Sequence, residues 1–272
     1  VTHADLTFAQ WNDRPDDTAR RLAQEIAGRH DLTLVGFTDT VHANRSHRTA
    51  LFDRDGMRFA LVPGGRPTLG YDGSRFRPAP EQVDSYAESA SEFGLPPLAE
   101  YVDAMTSPER SVEIPAMLVA VDAFDPCEIS PTPDDPRMRY DQALAGLADL
   151  GLRTTTPDEW EWACGAGAAT LFRWGDESPD DGYPFDYETG PHRETNLWGL
   201  AIAQDPYRHE VTTERTVVCG GDGGSTTCGG SGFFLGWLTL ATAYRDRDFG
   251  EWLASADGYA DEILTRPVIE LT

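Results

Sequence analysis

The stretch GLRTTTPDEWEWACG, residues 151–165, decides how the rest of this chain is read. Thr154, Thr155 and Thr156 precede Pro157, Asp158 and Glu159, which supplies a hydroxyl cap, a proline for a first helical turn and acids for the positive end of a helix. A short helix over residues 157–164 is expected. Trp160 and Trp162 stand two apart, so on a helix they point in different directions: one belongs in the core, the other lines a groove or covers Trp174. Glu159 and Glu161 lie where they can accept hydrogen bonds from the backbone or from Arg153, which is a scaffold role.

Working outward, residues 139–150 (RYDQALAGLADL) carry apolar side chains at helical spacing and stop at Gly151. Residues 16–30 form a second helix, with Ala19, Leu22, Ala23, Ile26 and Ala27 on one stripe after an acidic start. Residues 80–105 read as one or two helices broken at 94–97 by Gly and Pro. Apolar β-like runs at 50–52 and 57–65 flank Asp-Arg-Asp-Gly, a hairpin turn. Residues 32–37 read as a strand, and residues 112–124 as a buried strand with a bulge at Pro115. The last hundred residues have little helical periodicity. Short strands at 172–175, 216–219, 233–244 and 268–271, held by long loops, are expected there. The organisation is thus an N-terminal helix and strand, residues 1–48, packed on a main domain over residues 49–272.

Forty per cent hydrophobic and 10% aromatic content in 272 residues is enough for a real core, while 26 Gly and 19 Pro argue against a long helical bundle. All 22 basic residues are Arg, and 46 carboxylates bring the formal charge to −24, so nucleic acid is repelled by the average surface. An acidic, lysine-free surface also follows from genome composition or a salty cytoplasm. No apolar run has the length of a membrane span, and the first residues lack a basic start followed by an apolar stretch; a cytoplasmic protein without a membrane partner is expected. Four Cys are too few for a disulfide scaffold, and Cys127 and Cys164 read as ordinary buried thiols. The Walker loop, the Gly-x-Ser-x-Gly elbow and the dinucleotide fingerprint are absent.

Four segments, in order, resemble the formylglycine-generating, sulfatase-modifying family. Residues 59–70 (FALVPGGRPTLG) are similar to its opening hairpin, and residues 138–165 to its helix, Gly-x-Arg and Thr-Pro-x-Glu-Trp-Glu-Trp-Ala, with Arg153, Thr156, Glu159, Trp160, Glu161, Trp162 and Ala163 on the family positions. FRWGDE at 172–177 matches its Trp-Gly-Asp-Glu turn, and NLWGL at 196–200 resembles Asn-x-Phe-Gly-Leu. The likeness covers roughly residues 50–272 and is dense in the middle. It implies an α+β fold of the elaborated C-type lectin-like kind, with short strands, few helices and long loops.

The resemblance also implies chemistry. The family's oxidases hold cuprous copper, a soft ion, on two cysteines in a late Gly-rich segment, and activate oxygen to convert a substrate cysteine to formylglycine. Cys219 and Cys228 lie in that region here, but Cys219 stands where the family has Arg, Asp222 where it has Ser, and the Cys-x4-Cys spacing is missing. A copper pair, a disulfide and two unrelated thiols all remain readings of Cys219 and Cys228. Calcium is the family's other metal, and Asn196, Asp205 and Glu210 are the oxygen donors in the corresponding segment. Asp205 is equally a turn cap before Pro206. His42 and His47, in HANRSH, lack the His-x3-His-x-Glu pattern of iron-binding relatives and read as solvated loop residues.

Two functions follow. The favoured one is a ligand- or protein-binding accessory module that has lost the two-cysteine copper centre, with Trp198, Tyr207, Trp237, Tyr244 and Arg245 lining its groove. The alternative is a metal- and oxygen-dependent oxidase acting on a thiol or peptide residue. Partners are a small molecule, a peptide or a protein. Both metal patterns are degraded in one late segment, which tips the choice.

Overall fold

A ten-residue strand opens the main sheet: in the computed structural model, which describes residues 3–126, 140–178, 189–255 and 263–272, β1 (Thr33–His42) runs antiparallel to β2 (Arg45–Arg54). The strand is longer than the sequence reading, which ended it at residue 37. Ala43 and Asn44 both take positive φ, the geometry of a tight two-residue hairpin turn, and Asn tolerates that conformation well. HANRSH is therefore the tip of a hairpin. His42 and His47, expected in solvent, are both buried. The boundary drawn at residue 48 falls within β2, and the sheet continues across it.

The next turn is the expected one. Asp55 and Gly56 have positive φ and join β2 to β3 (Met57–Val62), which pairs with β6 (Met117–Ala120), followed by β10 (Val268–Glu270). Alternation along these strands builds two cores, one on each face. Phe59, Leu61, Leu118 and Ala120 join Trp11, Ala23 and Ile26 under the helices Phe8–Asn12 and Asp16–Arg29. Ala60, Val62, Met117 and Val119 join a larger core with Trp160, Trp198, Phe234 and Trp237 on the opposite face.

Two small sheets stand beside this one. β4 (Thr68–Leu69) pairs with β5 (Arg110–Ser111), and β7 (His209–Val211) lies between β8 (Val218–Cys219), antiparallel, and β9 (Ile263–Leu264), parallel.

The fold is α+β, but the expectation of few helices is overturned: nine α-helices stand among the described residues. Pro80–Phe93 and Leu98–Met105 are separated at Gly94, whose φ is +67°, and Tyr140–Asp149 stops before Gly151, also at +67°. Pro157–Gly165 begins with a full capping box between Thr156 and Glu159. Three further helices, Ser225–Cys228, Phe233–Leu238 and Arg247–Ser255, occupy the late region read as strands and loops. Phe233–Leu238 (FFLGWL) escaped detection for a physical reason. Five of its six residues are buried, so it lacks the polar face that gives a helix its period, and a short continuous apolar run reads as a strand. Cys127 lies outside the described residues.

Candidate functional site

A cleft of about 540 Å³ lies between two segments rich in small residues, Gly64 to Tyr71 on one side and Gly165 to Leu171 on the other. Its size is that of a small-ligand site, for which ~300–1,000 Å³ is usual. Trp162, Phe8 and Tyr71 contribute aromatic walls, while the Arg66–Glu113 and Arg75–Glu109 ion pairs stand on its rim. Trp162 is fixed by its indole N–H, which donates to the Pro63 carbonyl at 2.8 Å, and by a tilted ring contact with Trp198 at 5.5 Å between centroids. The groove-lining tryptophan of the pair is thus Trp162, and Trp160 is the core one.

Sequence forces close packing at this wall. Gly70 has φ +87°, and a Cβ there would run into the Pro108 carbonyl; a Cβ on Gly64 would strike the backbone of Ile114 to Ala116. The Gly70 N–H donates to Glu161 Oε1. Glu161 is buried, and its Oε2 accepts from Ser107 Oγ (2.9 Å), Arg110 (3.1 Å) and Arg245 (2.9 Å). Arg110 is held in turn by Asp158. One carboxylate therefore ties the helix Pro157–Gly165 to the β4–β5 pair and carries compensating guanidinium charge, as a buried carboxylate requires.

The rest of the 151–165 motif is scaffold of the same kind. Arg153 forms a two-pronged pair with Glu159 at 2.7 and 2.8 Å and reaches Glu270 at 2.6 Å, locking the helix start to β10. Trp160 donates to Glu210 Oε2 at 2.8 Å, and Arg266, wholly buried, grips both oxygens of that carboxylate at 2.6 and 2.8 Å.

The residues singled out from sequence fall elsewhere. Trp198, Trp237 and Tyr244 are enclosed in the larger core, and burial beside Asp246 raises the Tyr244 hydroxyl well above its ordinary range. Arg245 clamps Glu161, and half-buried Tyr207 lies against Gly224. Three of these five side chains are core and so line no open groove. Only the Trp162 side of the cleft was reachable from sequence. The signal for the rest is the facing pair of small-residue runs, PGG at 63–65 and GAGAA at 165–169, which carry no side chain that announces a site.

The metal candidates are engaged in the fold. Asn196 donates to the Ala163 and Cys164 carbonyls and accepts from the Trp198 and Leu200 N–H groups, so it binds the motif helix to the following loop. Asp205 Oδ1 accepts from Tyr207 N, the turn-capping alternative, and Glu210 is taken by Arg266 and Trp160. This donor set does not fit calcium. Cys219 is enclosed in the core, where burial pushes its thiol up to about 12; Cys228 is exposed, and both are free. The two thiols thus stand in different environments, one in the core and one in solvent, and no disulfide joins them. Buried Asp222 accepts from the backbone of Gly224 and Thr226 and organises the turn into Ser225–Cys228. Among the described residues no group of three or more His, Cys, Asp or Glu side chains is arranged to hold a metal ion. Among them, too, no helix is long and apolar enough to cross a membrane.

Compared with known proteins, the chain matches no family model and no curated protein.

Proposed function

We propose that this protein is a divergent relative of the formylglycine-generating family that works as a binding module, with the cleft between residues 64–71 and 165–171 as its ligand seat. The cleft carries the reading: it joins an apolar, aromatic-walled volume of ligand size to a fixed buried carboxylate and rim arginines, the usual composition of a recognition site. The engagement of Asn196 and Glu210 in structural bonds, and the separate environments of Cys219 and Cys228, support binding over metal-dependent oxidation. In this reading the 151–165 motif serves as the frame that holds Trp162 and Glu161 at the cleft.

A fragment screen by ligand-observed NMR, run on the wild type and on Ala169→Trp, tests it. Ala169 is exposed at the cleft rim, so an indole there occludes the opening without touching the core. Hits that lose at least ~10-fold affinity in the variant, equivalent to about 1.4 kcal/mol, are the expected result. Fragments that bind both proteins equally, or no hits at all, would remove the cleft from consideration.

A further inference from the structure

Along one edge of the cleft the Gly64 N–H donates to the Leu6 carbonyl at 2.9 Å and the Gly70 N–H to Glu161, while the main-chain groups of Arg66 and Thr68 between them have no hydrogen-bond partner among the described residues. Gly65 and Ile114 exchange both backbone hydrogen bonds at 2.9 Å, and Val112 N–H donates to the Pro67 carbonyl at 3.2 Å. Thr68 and Leu69 continue the same register opposite Ser111 and Arg110. In an antiparallel pair, bonded and non-bonded positions alternate, so Gly65, Pro67 and Leu69 direct their polar groups to the 110–114 segment. Arg66 and Thr68 direct theirs the opposite way. The β4–β5 pair has no third strand among the described residues, and every residue from Gly64 to Tyr71 lines the cleft. Pro67, whose missing N–H would cripple an open edge, sits with its nitrogen on the closed side.

The facing wall suits a main chain. Gly165, Gly167, Ala168 and Ala169 present no side chain beyond a methyl, so a backbone can approach them closely.

We propose that the ligand of this cleft is an extended polypeptide segment that adds a third strand beside β4, exchanging hydrogen bonds with the N–H and C=O groups of Arg66 and Thr68. This inference rests on the binding reading above and names its ligand class. Two residues of the segment, two apart, face Arg66 and Thr68, and the residue between them turns its polar groups away from β4. Main-chain bonds supply affinity, and the Trp162 and Tyr71 walls choose among apolar side chains. The formal charge of −24 favours a neutral or basic segment and makes association of a basic one fall with salt.

The test uses dodecapeptides selected from a phage-displayed library on the full chain, with counter-selection on Ala169→Trp. Winners are synthesised as a series carrying one N-methyl group at each position in turn. Strand addition requires that N-methylation at two positions, two apart, lowers affinity at least tenfold while the position between them changes it less than threefold. Thr68→Pro, which removes one donor from the open edge, should weaken the same peptides at least fivefold. Should that variant misfold, protection of the Arg66 and Thr68 amides from hydrogen exchange in the wild-type complex gives the same information. An N-methyl series without the alternating pattern, or protection elsewhere, overturns the proposal. If fragments bind the cleft but no peptide is selected, the strand-addition proposal falls and the binding reading stands; if neither binds, both fall.

Discussion

Replacing Glu210 by alanine should destabilise this protein by about 3–5 kcal/mol, the usual cost of stranding one partner of a buried ion pair. The magnitude follows from the contacts. Arg266 is 1% exposed and donates twice to Glu210, at 2.6 and 2.8 Å; its other bonds go to the carbonyls of Ala120, Val121 and Ala201. Without the carboxylate, a full positive charge faces neutral carbonyls in the core, and the Trp160 indole N–H loses its acceptor. The matching double variant, Glu210→Leu with Arg266→Met, removes both charges and should recover at least ~2 kcal/mol relative to the sum of the single losses. Urea unfolding followed by far-UV circular dichroism, with and without calcium, measures the wild type, Glu210→Ala, Glu210→Leu, Arg266→Met and the double variant. A loss under ~1 kcal/mol for Glu210→Ala would refute this account of the site. So would calcium stabilising the wild type and not the variant, since Glu210 would then be a metal ligand.

Other outcomes are equally specific. His209 is buried with neither ring nitrogen hydrogen-bonded among the described residues, and burial holds it down at about 4, against an ordinary value of 6.5. Folding thus favours its neutral form, so the contribution is complete above pH 6.5 and is lost as pH falls from 6.5 towards 4, on the order of 3 kcal/mol at most. His209→Leu should flatten the stability profile across that window and hold or raise stability at pH 7, as unfolding titrations at pH 7, 6 and 5 would reveal. Iodoacetamide applied to the native protein should label Cys228 and spare Cys164 and Cys219, both held at about 12 by burial; peptide mapping that finds Cys219 labelled as fast as Cys228 contradicts the placement. Gly70→Ala combines a forbidden φ with an overlap at Pro108 and should cost at least ~2 kcal/mol in urea unfolding, while the exposed Ala169→Trp should leave stability within ~0.5 kcal/mol.

What sequence made legible was local chemistry. The capping box at Thr156–Glu159, the Asp55-Gly56 turn, the Gly94 break and the stop at Gly151 all depend on residues within a few positions of each other, and each is found where those residues stand. The longer β1 escaped because Ala43 is an ordinary residue in a left-handed turn that Asn44 makes affordable. The helix Phe233–Leu238 escaped because it is apolar all round. The groove was misplaced for another reason: aromatic residues signal burial and recognition alike, and Trp198 and Trp237 turned out to be core. The cleft itself is made of what sequence hides, the absence of side chains at Gly64, Gly65, Gly165 and Gly167 and the free edge of a two-residue strand. Of the motif residues that carry the formylglycine-generating resemblance, Arg153, Glu159 and Trp160 bond to β10, to the helix start and to Glu210, so these three hold the frame together.

The most direct test of the cleft as the ligand seat is crystallographic: crystals of the full chain soaked with a diverse fragment library. The account predicts that bound fragments concentrate between residues 64–71 and 165–171, stacked on Trp162 or Tyr71 and bonded to the main chain of Arg66 or Thr68. Fragments clustered instead around Cys219 and Cys228, with the cleft empty across the library, would contradict it.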